Sequence, residues 1–173
     1  MSFLKNIISI REWSPKDYLF LSVYARQVFS KENQRLAEQG YSIEEIKVGM
    51  TARFSKQITA KEITLFSQAS GDTNPMHLDP DFASRTRFKG CIAHGMLTAS
   101  LISTVIGTQL PGPSSIYLGE RLKFIAPVYP GDQVEVVTTV VAINQRRPIV
   151  TLESKCMVGE KVVLKGESKV MVE

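Results

Sequence analysis

The chain is 173 residues long, 43% hydrophobic and 22% charged, with a formal net charge of +4. These proportions belong to an ordinary globular domain and exclude a largely disordered chain. The basic excess is modest, and no dense Lys/Arg run with interleaved aromatics occurs, so nucleic acid is not an expected partner.

Residues 1–40 read as an N-terminal extension. Apolar Phe3, Leu4, Ile7, Ile8 and Ile10 are mixed with and followed by basic Lys5, Arg11, Lys16, Arg26, Lys31 and Arg35. The longest apolar run, Tyr18 to Ala25, is far short of a bilayer crossing, so no membrane span is expected. Two readings stand. One is a mitochondrial presequence with residues 26–30 as its processing region, against which Glu12 and Asp17 weigh, since such segments are poor in acids. The other is a helix packed on, or trailing from, the domain that follows.

Residues 41–173 have the pattern of one compact domain. Thr51 to Ile58 alternates as a strand does. Thr59 and Glu62 form a capping box, opening a helix over about residues 60–70 that should bury Ile63, Phe66 and Ala69 and stop at Gly71. A loop with Asp72, Asn74, Pro75 and His77 comes next, then a basic stretch holding Arg85, Arg87 and Lys89. Gly95 to Ile106 is apolar almost all round, as a helix is when it lies in the middle of something.

Four more strands are expected at 116–126, 133–143, 149–158 and 161–172, each alternating apolar with polar residues. In the first of them Ile116, Leu118, Leu122, Phe124 and Ala126 should share the inner face. The whole reads as an α+β domain, an antiparallel sheet with one wet face wrapped around a central buried helix.

The chemistry-bearing residues are few. Cys91 and Cys156 are far apart with no CxxC partner, and with only His77 and His94 as histidines a metal site is poorly supplied. Both cysteines read as small buried residues. Asp72 and His77 are an acid and an imidazole in one tight loop, able to move protons near neutral pH, although each also reads as a plain turn or core residue. Gly95 opens the central helix, where a free backbone N–H can stabilise charge on a carbonyl oxygen or simply allow close packing. Ser103 faces inward if that helix is buried, and His94 is assigned no catalytic role.

The runs Phe66–Ala83, Ile92–Leu97, Ser115–Gly119 and Phe124–Asp132, with the signature Gly71-Asp72-x-Asn74-Pro75-x-His77, resemble the MaoC-like R-specific enoyl-CoA hydratases and 3-hydroxyacyl-thioester dehydratases. The similarity spans about residues 50–172, with mitochondrial members of that family nearest. It implies a single hot-dog fold, a homodimer and a lyase that reversibly dehydrates (3R)-3-hydroxyacyl thioesters to trans-2-enoyl thioesters. Asp72 and His77 would then handle the water and the C2 proton, and the Gly95 N–H would polarise the thioester carbonyl.

Asn74 would shape the loop and Ser103 support the site's hydrogen bonding. No metal or redox cofactor is implied; CoA or acyl-carrier-protein pantetheine arrives as part of the substrate. Arg85, Arg87 and Lys89 would meet CoA phosphates or the acidic carrier protein. The setting would be mitochondrial fatty acid synthesis in the matrix, or otherwise the cytoplasm. Competing expectations are an R-specific hydratase of fatty acid oxidation, a thioesterase, and a non-catalytic acyl-thioester binding module.

Overall fold

The structure, a computed structural model, describes residues 35–173 apart from Ala37 and Gln145. The presequence reading and its processing region at residues 26–30 lie outside the described residues. Arg35 and Glu45 form an ion pair, and Tyr41 donates to the Pro111 carbonyl at 2.8 Å. Gly40 is buried with a left-handed φ of 77°, and a Cβ there would stand 2.7 Å from the Pro111 carbonyl oxygen. The last residues of the extension therefore lie against the turn at Pro111.

β1 (Thr51–Gln57) leads into α1 (Ala60–Ser70), then two short turns of helix, α2 (Pro75–Leu78) and α3 (Pro80–Ser84). α4 (Gly95–Thr108) follows, then β2 (Ser115–Phe124), β3 (Gln133–Asn144), β4 (Ile149–Val158) and β5 (Lys161–Val172). The strands form one antiparallel sheet in the order β1-β3-β4-β5-β2. α4 touches all five strands. This is the expected α+β arrangement, a sheet curled around one helix.

The core follows from that wrapping. Leu97, Leu101, Ile102, Val105 and Ile106 of α4 meet Val134, Val136 and Val140 of β3, Val150, Leu152 and Cys156 of β4, and Val163, Leu164 and Val170 of β5, all buried. Burial pushes the Cys156 thiol up to about 12, Glu120 adding to the effect, so it is an inert core residue. Cys91 is only half-buried, unlike the expectation. It lies in the connection between α3 and α4 rather than in the sheet interior.

Two further expectations need correction. In α1 the buried residues are Ile63 and Ser67, while Ala69 is exposed. Ser67 is held inside because its hydroxyl has a backbone partner in the next loop. In β2 a register shift lies between Tyr117 and Gly119. Residues directly opposite share a face, so Tyr117, Glu120, Leu122 and Phe124 face inward with Val170, Ser168, Gly166 and Leu164. Ile116, opposite Met171, is instead on the outer face, and Leu118 lies in the shift itself. One inserted residue reverses the alternation that the sequence pattern assumes. Among the described residues, no helix is long and apolar enough to cross a membrane.

Candidate active site

The capping box forms as the sequence implies. The Glu62 carboxylate accepts from the Thr59 backbone N–H at 2.8 Å and lies 2.9 Å from the Lys56 ammonium. Partial burial works against its charge, but the Thr59 and Lys56 partners prevail and hold its pKa near 2. α1 thus starts at a fixed point. It ends at Gly71, whose left-handed φ of 77° lets its N–H return to the Ser67 carbonyl at 2.9 Å.

The loop after Gly71 is closed by side-chain bonds to backbone. The Asp72 carbonyl accepts from the Ser67 hydroxyl at 2.6 Å, and the Asp72 carboxylate accepts from the Asn74 N–H at 3.1 Å. Asn74 caps α2 by accepting from the Met76 N–H at 3.0 Å, and Pro75 sits where a helix N-terminus tolerates it. The turn that follows delivers His77. Its Nδ1 lies 2.8 Å from the Ile92 carbonyl oxygen, which can only accept. Nδ1 therefore carries the proton, and Nε2 is left with its lone pair for chemistry.

The structure brings a third residue into this cluster that sequence reasoning left without a role. His94, buried at 2% exposure, places its ring 3.9 Å from that of His77, tilted by 32°, with Phe66 5.1 Å away on centroids. Its Nε2 lies 3.2 Å from the Asp72 carbonyl oxygen. Desolvation holds its pKa below the ordinary histidine value and His77 adds to this, while the Asp72 carbonyl and charge oppose it. The available signal was its place as the second of two histidines, directly before Gly95.

Asp72, His77 and His94 set one carboxylate oxygen and two ring nitrogens within 4.8 Å of one another. As a cation cage this fits poorly. Nδ1 of His77 and Nε2 of His94 are engaged by carbonyls, which leaves one nitrogen free on each ring, that of His94 being buried. As a proton-handling cluster it is well formed.

Gly95 is the first residue of α4, where N–H groups have no intrahelical acceptor. Gly95 and His77 line one cavity of about 260 Å³ with Ile92, Thr98, Phe124 and Val128, and Arg87 stands in its wall. Arg87 also lies over the Phe88 ring, 4.8 Å from its centroid. Arg85 and Lys89 are exposed and do not line that cavity. Ser103 differs from expectation. It is exposed and lines a separate groove of about 400 Å³ with Met96, Tyr117 and Glu120. It lies on the face of α4 turned toward β2, two turns from Gly95.

The family model described as a MaoC like domain matches residues 43–161. An (R)-specific enoyl-CoA hydratase of Rhodospirillum rubrum is 48% identical over 129 residues, covering 75% of this chain and 90% of that one. A mitochondrial 3-hydroxyacyl-[acyl-carrier-protein] dehydratase of Arabidopsis thaliana is 32% identical, covering 71% of this chain and 75% of that one. The solved (R)-hydratase of A. caviae superposes with a TM-score of 0.73 at 44% identity, over 75% of this chain and 99% of that one.

Proposed function

The chain belongs to the MaoC-like family, and from that premise we propose that its site removes water from (3R)-3-hydroxyacyl thioesters, and returns it, through Asp72, His77 and the Gly95 N–H. It is a hydro-lyase with a hot-dog fold. The observation that carries the site assignment is that His77 and Gly95, the first residue of α4, line one cavity, with the Asp72 carboxylate beside His77 although not itself in that lining. In the forward direction the C2–H and C3–O bonds break and C2=C3 forms. One member of the Asp72/His77 pair takes the C2 proton, the other gives a proton to the departing hydroxyl, and the leaving group is water.

Negative charge builds on the thioester oxygen as the C2 proton departs, because that proton is only weakly acidic. A fixed N–H at the Gly95 end of α4 stabilises that charge, and such a donor is typically worth about 3 kcal/mol. A positioned acid and base add about 10²–10⁴-fold. The apolar walls, Ile92, Val128 and Phe124, keep bulk water from the enolate-like state.

The finer assignment is an acyl-carrier-protein thioester in mitochondrial fatty acid synthesis. It is supported by the similarity to the Arabidopsis mitochondrial dehydratase and by the apolar and basic composition of residues 1–40. An R-specific enoyl-CoA hydratase is the second reading, favoured by the higher identity to the Rhodospirillum protein. Following enoyl-thioester absorbance on matched CoA and carrier-protein substrates separates the two. Release of free thiol without hydration would overturn both in favour of a thioesterase, and binding without turnover would leave only a binding module.

The active form is a homodimer joined through β2. Among the described residues that strand is an edge of the sheet, and it carries exposed Ile116 and Leu118. Arg87, with Arg85 and Lys89 nearby, receives the phosphates of CoA or the acidic face of the carrier protein.

A further inference from the structure

We propose that His94 is a positioning residue for this reaction, holding Asp72 and His77 in one arrangement through a neutral imidazole with its proton on Nε2. The inference rests on the dehydratase reading and adds a residue to it. His94 contacts both members of the pair, by a hydrogen bond to the Asp72 carbonyl and by its ring face to His77. Since a carbonyl oxygen only accepts, the Nε2 atom of His94 must be the donor.

That tautomer has a consequence. Nδ1 of His94 is buried and has no hydrogen-bond partner. Buried polar atoms are nearly always paired, and a bare one weakens the fold. A phenyl ring would fill this place without that penalty, so packing alone does not account for an imidazole here. Nor does capping: His94 precedes α4, yet its side chain makes no cap bond. What the imidazole adds over a phenyl ring is the donor to Asp72.

The two contacts divide the work. His77 is fixed at its edge by the Ile92 carbonyl and on its face by His94, so Nε2 has one direction left. Asp72 is fixed at its carbonyl by His94 and by the Ser67 hydroxyl. Because Ser67 remains when His94 is replaced, the loop keeps a hold and the variants should fold. The charged or titratable groups facing His94 are Asp72 and His77. Burial is the main reason that His94 stays neutral, and His77 beside it works in the same direction.

The test uses the full chain. With two histidines, long-range ¹H–¹⁵N spectra of the untagged protein give two ring systems, assigned with either variant below. The expected result at neutral pH is His94 as the Nε2–H tautomer and His77 as the Nδ1–H tautomer. His94→Phe keeps a ring and removes the donor; His94→Gln keeps a donor near the same place and removes the ring. Each should lower kcat by about tenfold or more with KM changed less than about threefold, while melting temperature falls little, or rises for His94→Phe. In His94→Gln, the His77 ring loses its support on one face and should leave the Ile92 carbonyl part of the time, so that it becomes a mixture of tautomers.

Wild-type kcat in a folded variant overturns the role, as does His94 found cationic or as the Nδ1–H form. Parallel losses of kcat, KM and stability with an unchanged His77 tautomer also overturn it, since packing then explains everything. An inactive wild type sinks the dehydratase reading and the role together. An active wild type indifferent to His94 sinks the role alone.

Discussion

A Cβ placed on Gly95 would stand 2.8 Å from Cε1 of Phe124, inside the distance at which carbon atoms repel. Gly95 is therefore constrained by the β2 ring that closes the cavity as well as by its place at the head of α4. His94, the residue before it, has φ −58° and ψ 136°, a conformation that tolerates a following proline. Proline is also accepted at a first helical position. Gly95→Ala should add the Cβ and keep the N–H; Gly95→Pro should add the Cβ and remove it. We predict that both bind substrate less well as Phe124 shifts, and that kcat falls about 10²–10³-fold further in Gly95→Pro than in Gly95→Ala. Steady-state kinetics on one enoyl thioester checks this; equal kcat in the two variants would remove the N–H from the mechanism.

Asp72 and His77 are expected to fail differently from surface residues. Asp72→Asn keeps an acceptor for the Asn74 N–H but no longer exchanges a proton. His77→Gln loses the ring stacked on His94 as well as the base. Each should reduce kcat by about 10²–10⁴-fold with the fold intact. Circular dichroism and enoyl absorbance decide it, and full activity in both variants would end the site assignment.

The sequence showed the loop and concealed its surroundings. Thr59, Glu62 and Gly71 mark the two ends of α1 by local rules, and residues 149–158 alternate as an uninterrupted strand must, so these elements were legible. The β2 shift near Leu118 was not, because one extra residue puts Ile116 on the opposite face from Leu122 and Phe124 without changing local composition. Ser103 was expected inward because α4 is apolar all round, yet one face of that helix opens toward the sheet edge. His94 has no legible role in the sequence because its contacts with Asp72 and His77 join segments about twenty residues apart, and no local pattern encodes that approach.

The capping box gives a stability prediction with a definite sign. Thr59→Ala should destabilise the protein by about 1 kcal/mol, as lost N-caps do. Glu62 has its folded pKa depressed to about 2 from 4.5. Its contribution is thus fully present above the unfolded value and fades as pH falls through the folded one. Wild type and Glu62→Gln should differ in melting temperature at pH 6 and converge between about pH 4.5 and pH 2, by thermal melts in matched salt. A difference that persists undiminished at pH 2 would mean that Glu62 acts by packing.

Arg87 is the basic residue that lines the cavity, whereas Arg85 and Lys89 do not. Charge reversal at Arg87 should raise KM several-fold at low ionic strength, with kcat little altered, and the effect should shrink as salt approaches about 0.15 M and the screening length falls to ~8 Å. The same change at Arg85 should do less. Equal effects at both positions would point to general attraction instead of a seat for phosphate or carrier protein.

The β2 edge yields the last prediction. Leu118 lies in the register shift, is 51% exposed, and sits on a strand that is an edge of the sheet among the described residues. Such an edge recruits another strand unless charge or a break discourages it. Pairing two copies of β2 antiparallel would join their sheets about a two-fold axis and cover Ile116 and Leu118 of both. A lysine at 118 introduces a buried charge on each side of that axis, a device edges use to stay single. Wild type should therefore run at about twice 19.3 kDa by light scattering, and Leu118→Lys should run as a monomer at micromolar concentration. Because β2 also carries Phe124, which packs on Gly95, the monomer should lose activity although no site residue has changed. A monomeric wild type, or a fully active monomeric Leu118→Lys, would show that the site is complete in one chain and that this edge has another use.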